Sequence, residues 1–277
     1  MENRYQYRPA RFFLMTGAAT WIPWLVGAYL ASEKGKEAYG SLVSLVGLLA
    51  PLAVGLVLIL TSGSRALQGD LKSRIVDLRR IRPVVLVVAL AMPPVVMAVS
   101  IGLSLGFGQS RDQFRLFGDT SPLPAIMTTM VLAPIIEELG WRGYGVDSLR
   151  ARMGMLKASL LFGGLWSLWH APLTLLPGTY HYQLARMENP LFLANFFVSV
   201  VPAAIIANWF YYRNNRSIVA AVLLHSMLNA AAVFPTATQV TKVIATLVYL
   251  AIAAVLVLVD RRAFGAGPRN FVPAEPR

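Results

Sequence analysis

Two adjacent carboxylates, Glu137 and Glu138, follow the apolar run Val131-Leu132-Ala133-Pro134-Ile135-Ile136, and Arg142 stands four residues after the second. On an α-helix Glu138 and Arg142 share a face, with the acid on the favoured N-terminal side. Glu137 is rotated by about 100° and has no such partner in its own helix. The pattern reads as a neutralised ion pair beside a free acid. A carboxylate held away from water without a counter-charge suits general-base work near neutrality. The bland alternative is that both acids lie in an interface and simply end a helix.

Two of the three histidines sit in equally apolar surroundings. His170 lies in Trp166-Ser167-Leu168-Trp169-His170-Ala171-Pro172, with Trp166 one turn before it on the same face. His225 lies in Leu223-Leu224-His225-Ser226-Met227-Leu228-Asn229, with Asn229 one turn after it. A lone histidine in such a segment is more often a helix–helix hydrogen bond than a catalyst. Counted from Arg150, Lys157 and Arg216 at the ends of their helices, Glu137, His170 and His225 lie about 20, 20 and 14 Å along at 1.5 Å per residue. One site can therefore collect them all. His181, in Tyr180-His181-Tyr182, belongs to a connecting loop and is expected to be solvated.

The elements that must position these groups are membrane helices. Hydrophobic residues make up 56% of the 277-residue chain, charged residues only 14%, and the mean hydropathy is +0.58. A soluble domain carries about a quarter of its residues charged. Apolar blocks run over residues 12–31, 39–60, 84–107, 122–140, 155–176, 191–212, 217–234 and 240–259. Each is long enough to cross about 30 Å of hydrocarbon. The fold class is all-α, a polytopic bundle of about eight transmembrane helices forming one integral membrane domain. Val26-Gly27-Ala28 could pass as a signal-peptide cleavage site, which would leave seven spans, but the apolar run is long for that.

The net charge of +12 does not point to nucleic acid, because the basic residues alternate between the two sides of the apolar blocks. On one side lie 19 of the 25 Lys and Arg, which places both termini in the cytosol, in the manner of a prokaryotic cytoplasmic membrane protein. Residues 67–82 form the densest basic segment and read as a topology anchor touching anionic headgroups. There are no cysteines, so thiolate metal sites and disulfides are excluded.

Glu137-Glu138-x-x-x-Arg142, an aromatic-x-x-x-His170 and His225-x-x-x-Asn229, in that order on successive helices, resemble the CAAX protease and bacteriocin-processing (CPBP, or Abi) family of intramembrane proteases. The type II CAAX prenyl endopeptidase is its best-known eukaryotic branch. The resemblance covers roughly residues 120–235. One departure is Trp166, where the motif usually has phenylalanine, which bears on pocket shape more than on chemistry. The resemblance implies eight helices, a cytosol-facing polar cavity and peptide-bond hydrolysis in a membrane-associated, in some branches lipidated, substrate. It assigns Glu137 and His170 to water activation, His225 and Asn229 to the oxyanion, and Glu138 and Arg142 to support. The family is often labelled metalloprotease, while related enzymes are described as working through the glutamate alone. Glu137, His170 and His225 could make a zinc set. HExxH is absent, and a metal-free site is the reading preferred here.

Other chemistries fit less well. Gly102-Leu103-Ser104-Leu105-Gly106 matches a nucleophile elbow in letters only, because it lies in an apolar helix without a strand. A proton-coupled transporter would also bury Glu, Arg and His, yet no repeat between halves is visible. A noncatalytic scaffold or immunity protein of the same fold is the remaining alternative.

Overall fold

The computed structural model describes residues 5–116 and 127–274. Among these the chain is helical, without a paired sheet. Five helices are long and apolar enough to cross a membrane: α1 (Pro9–Ser32), α2 (Glu37–Leu60), α4 (Pro83–Leu105), α9 (Leu191–Arg213) and α11 (Gln239–Val259). A shorter apolar helix, α10 (Ile218–Val233), joins them.

Two of the eight expected spans take a different form. The fifth is α7 (Met155–Trp169), which ends one residue before His170 and gives way to a 3-10 turn at Ala171–Leu175. Pro172 is the reason, since it cannot donate to the turn before it. The fourth, expected over residues 122–140, begins outside the described residues at 122–126. Its visible part does not end at the acids. Helical backbone runs through a π segment at Thr128–Leu132, α5 (Ala133–Gly140), a second π segment at Trp141–Gly145 and α6 (Val146–Arg150). The acids therefore do not terminate a helix.

Small residues let these helices approach. A Cβ on Gly40 would lie 2.6 Å from the Gly27 carbonyl oxygen, so α1 and α2 touch backbone to backbone, as membrane helices with small interfacial residues do. Phe12 and Trp24 of α1 are buried in the main core, which makes α1 a structural member of the bundle. Gly140 lies directly against Pro51 of α2, bringing α2 onto the helix that carries the acids.

On the basic side, α3 (Arg65–Val76) is capped by Ser64, whose side chain accepts from Leu67 N at 3.2 Å. Arg74 of α3 is fully buried, which corrects the expectation of a headgroup-facing anchor throughout residues 67–82. Its guanidinium donates to the carbonyls of Arg142 (2.6 Å) and Gly143 (2.9 Å), and to Asp147 Oδ2 (3.0 Å). Arg216 also reaches Asp147 at 2.5 Å, from a left-handed backbone (φ 63°) in the reversal between α9 and α10. These buried charges cap the second π segment from below.

Candidate active site

Glu137 and Glu138 project from α5 between the two π segments, and both are buried. π bulges occur often at functional sites because they re-aim side chains without breaking the helix. The i,i+4 pair holds as expected: Arg142 Nη1 donates to Glu138 Oε1 at 2.7 Å. Arg142 Nη2 continues to Asn208 Oδ1 at 3.1 Å, and Asn208 Nδ2 donates to Ser159 Oγ at 3.1 Å. The guanidinium also lies over the Phe162 ring, 5.1 Å from its centre.

Glu137 is better partnered than its sequence position suggests. Oε2 accepts the indole N–H of Trp166 at 2.9 Å and that of Trp141 at 3.3 Å. Trp141 is the i+4 residue of its own helix, so Glu137 lacks a counter-charge there but not a partner. An indole N–H is a donor only, which gives the acid two fixed neutral donors. Trp166 thus does more than shape a pocket.

His225 reaches the acids from α10. Its Nδ1 lies 2.9 Å from Glu138 Oε1, and because a carboxylate accepts, the ring nitrogen donates. Its ring meets Trp166 edge-on, with centres 5.3 Å apart. His170 approaches through the same tryptophan. Nδ1 donates to the Trp166 carbonyl at 2.7 Å, and that bond fixes the tautomer, leaving the Nε2 lone pair available.

Asn229 stands apart from this group. Its amide donates to the Thr129 carbonyl at 2.9 Å, in the first π segment. His181 departs from the expectation of a solvated loop residue. It lies on a short helix, α8 (Tyr180–Ala185), and its ring stacks on His170 with centres 5.4 Å apart. Both of its ring nitrogens are buried without a hydrogen-bond partner.

A zinc site needs lone pairs from three side chains aimed at one point. Among the described residues, no group of three His, Cys, Asp or Glu is spaced to hold a metal ion. Glu137 Oε2 faces two N–H donors, and His225 Nδ1 is turned to Glu138. The Nδ1 bonds of His170 and His225 leave Nε2 of each ring as the nitrogen a metal would use, so what separates these residues from a zinc set is that Glu137, His170 and His225 do not form one group among the described residues.

Asn208, Arg74 and Asp147 escaped the reading of the sequence. Asn208 was findable as a buried amide within a span. Asp147 stood out only weakly, as an acid in a basic stretch.

The comparisons with known proteins bear on this constellation. A profile of the Rce1-like type II CAAX prenyl endopeptidases matches residues 119–231, the stretch that holds Glu137, Glu138, Arg142, Trp166, His170, His225 and Asn229. A curated relative, the CAAX prenyl protease 2 of Methanococcus maripaludis, is 36% identical over 267 residues, covering 95% of this chain and 98% of its own length. The chain belongs to the type II CAAX prenyl endopeptidase family. A type II CAAX prenyl endopeptidase is a hydrolase, and this one is a protease built from membrane helices. That identification leaves the transporter reading without support.

Proposed function

We propose that this protein cleaves a peptide bond near the C-terminus of a prenylated, CAAX-type protein, with Glu137 as the general base. The observation that carries the reading is the single cluster joining Glu137, Glu138, Arg142, Trp166, His170 and His225 across α5, α7 and α10. Site, domain and mechanism coincide in one membrane domain, with the chemistry in residues 120–235.

Glu137 takes a proton from water while the water oxygen attacks the scissile carbonyl carbon. His170, whose Nε2 lone pair is free, shares the positioning of that water. The carbonyl oxygen becomes an oxyanion, held by His225 and by the second N–H of Asn229. An oxyanion donor at His225 needs Nε2–H, while Nδ1 stays on Glu138. Collapse of the intermediate breaks the C–N bond, and the proton held by Glu137 passes to the leaving amine. No metal takes part in this scheme. The basic side, with both termini, faces the cytosol of a prokaryotic cell.

The test is cleavage of a farnesyl-cysteine peptide by purified wild-type and Glu137→Gln proteins. Loss of about 10²–10⁴-fold in the variant, with unchanged thermal unfolding, is expected of a general base. Full activity in the variant would falsify the assignment. Reporter fusions within 67–82 and 178–189 test the orientation, with the first expected inside and the second outside.

A further inference from the structure

Lys242 sits in the first turn of α11, at the end of the bundle away from the basic face, where α7 ends at His170. Its Nζ donates to the Tyr180 hydroxyl at 3.3 Å and lies 4.4 Å from the centre of the Tyr180 ring. Both contacts are neutral. Among the described residues no carboxylate pairs with it, whereas Arg74, Arg142, Arg213 and Arg216 all have acids. A cation in a membrane segment without a counter-ion is costly, and such residues mark sites. The first turn of a helix adds to the positive potential there.

A chain of ring contacts links the cation to the proposed reaction centre. Tyr180 packs edge-on against His181, with ring centres 6.1 Å apart, and His181 stacks on His170. His181 contributes the second observation, two buried ring nitrogens that no group of the protein satisfies. Buried polar atoms without partners call for an explanation, and a ligand supplies one. Three residues of extended chain reach about 10 Å, the scale of two ring-to-ring contacts.

We infer that Lys242 receives the C-terminal carboxylate of the substrate, with His181 contacting the peptide between that carboxylate and the scissile bond. This rests on the peptidase reading above. It makes the enzyme a reader of chain ends: the leaving tripeptide is measured from its terminal charge back to Glu137. A lysine that served lipid headgroups would extend its amine to the interface, whereas this one, half-buried, folds back over a tyrosine ring.

Matched farnesyl-cysteine peptides with three-residue tails, ending in a free carboxylate or a carboxamide, test it in detergent and in vesicles. Wild-type protein is expected to prefer the carboxylate in kcat/KM by about 10- to 100-fold, the scale of a hydrogen bond to a charged group. The preference should reside in KM and collapse in Lys242→Met, while Lys242→Arg, which keeps the cation, retains most of it. Equal cleavage of both peptides by wild-type protein overturns the inference and leaves the peptidase reading standing, whatever the variants do. So does a preference that survives Lys242→Met, or a Lys242→Met defect that tracks only the anionic lipid content of the vesicles. Cleavage of neither peptide by wild-type protein overturns both.

Discussion

Trp166 donates its indole N–H to Glu137 Oε2 at 2.9 Å, and its backbone carbonyl accepts from His170 at 2.7 Å. One residue of α7 therefore holds the acid with its side chain and the histidine with its main chain. Trp166→Phe removes only the first of these bonds and keeps the stacking on Phe162, whose ring centre is 5.6 Å away. A hydrogen bond to a charged group is worth about 1.5–3 kcal/mol. Cleavage should fall by roughly tenfold in kcat, with KM and thermal unfolding little changed. A variant as fast as wild type would mean that Trp141 alone orients Glu137.

Glu138 and Arg142 are both buried and bonded at 2.7 Å, with His225 as a second partner of the same carboxylate oxygen. Removing one partner of such a pair leaves an uncompensated charge, which costs about 3–5 kcal/mol, whereas removing both costs much less. Glu138→Gln and Arg142→Met should each lower the unfolding temperature in detergent more than the double variant does. Additive losses in that cycle would show that the side chains are not coupled.

The Glu138–Arg142 pair was legible because four residues on one helix is a local relationship. His225 to Glu138 spans 87 residues, and no local rule reports it. The π segments were hidden for a different reason: extra residues per turn leave no compositional mark, and Thr128–Leu132 reads as ordinary apolar helix. Arg74 was misread because a basic loop looks solvated until a carbonyl pair, Arg142 and Gly143, is found beneath it. His181 was misread because loop position was taken for exposure, when α8 folds inward to meet His170.

Arg74 offers a check on the role of that buried charge. It joins α3 to the second π segment and to Asp147, with no exposure to solvent. Arg74→Met should destabilise the protein by about 3–5 kcal/mol, as expected when one member of a buried ion network is lost. Its exposed neighbour Lys72 is a control, and Lys72→Ala should stay within about 0.5 kcal/mol of wild type. Equal, small shifts in thermal unfolding for both would mean that the network is not coupled to folding.

Gly140 and Gly164 make a paired test of how α5 is seated. A side chain at Gly140 would run into the Pro51 backbone of α2, whereas nothing lies within 4 Å of the position at Gly164. Gly140→Ala forces the helices apart, and overpacking of this kind costs about 1–3 kcal/mol. Gly164→Ala, in the interior of α7, should instead be neutral or stabilise by up to about 1 kcal/mol. Because α5 carries both acids, Gly140→Ala should also lower kcat, while Gly164→Ala leaves it alone. Matching unfolding temperatures for the two variants would mean that the α2–α5 approach is looser than it looks.

Metal dependence is the sharpest test of the proposed chemistry. Glu137 Oε2 is held by two N–H donors, His170 spends Nδ1 on a carbonyl and His225 spends Nδ1 on Glu138. A zinc ion taking all three would use Nε2 of both rings and would have to draw Glu137 and the two histidines into one group, which they do not form among the described residues. With His225 as an oxyanion donor instead, His225→Ala should reduce kcat by roughly 10²–10³-fold. Asn229→Ala should do the same if its second N–H faces the substrate, and Asn229→Asp should not restore the rate, since it keeps the size but loses the donors. Chelation should leave the wild-type rate unchanged. Stoichiometric zinc in purified protein, with activity lost on chelation and regained when zinc is returned, would overturn this scheme. It would recast Glu137, His170 and His225 as ligands that move together on binding metal, and the two tryptophans as the groups they leave behind.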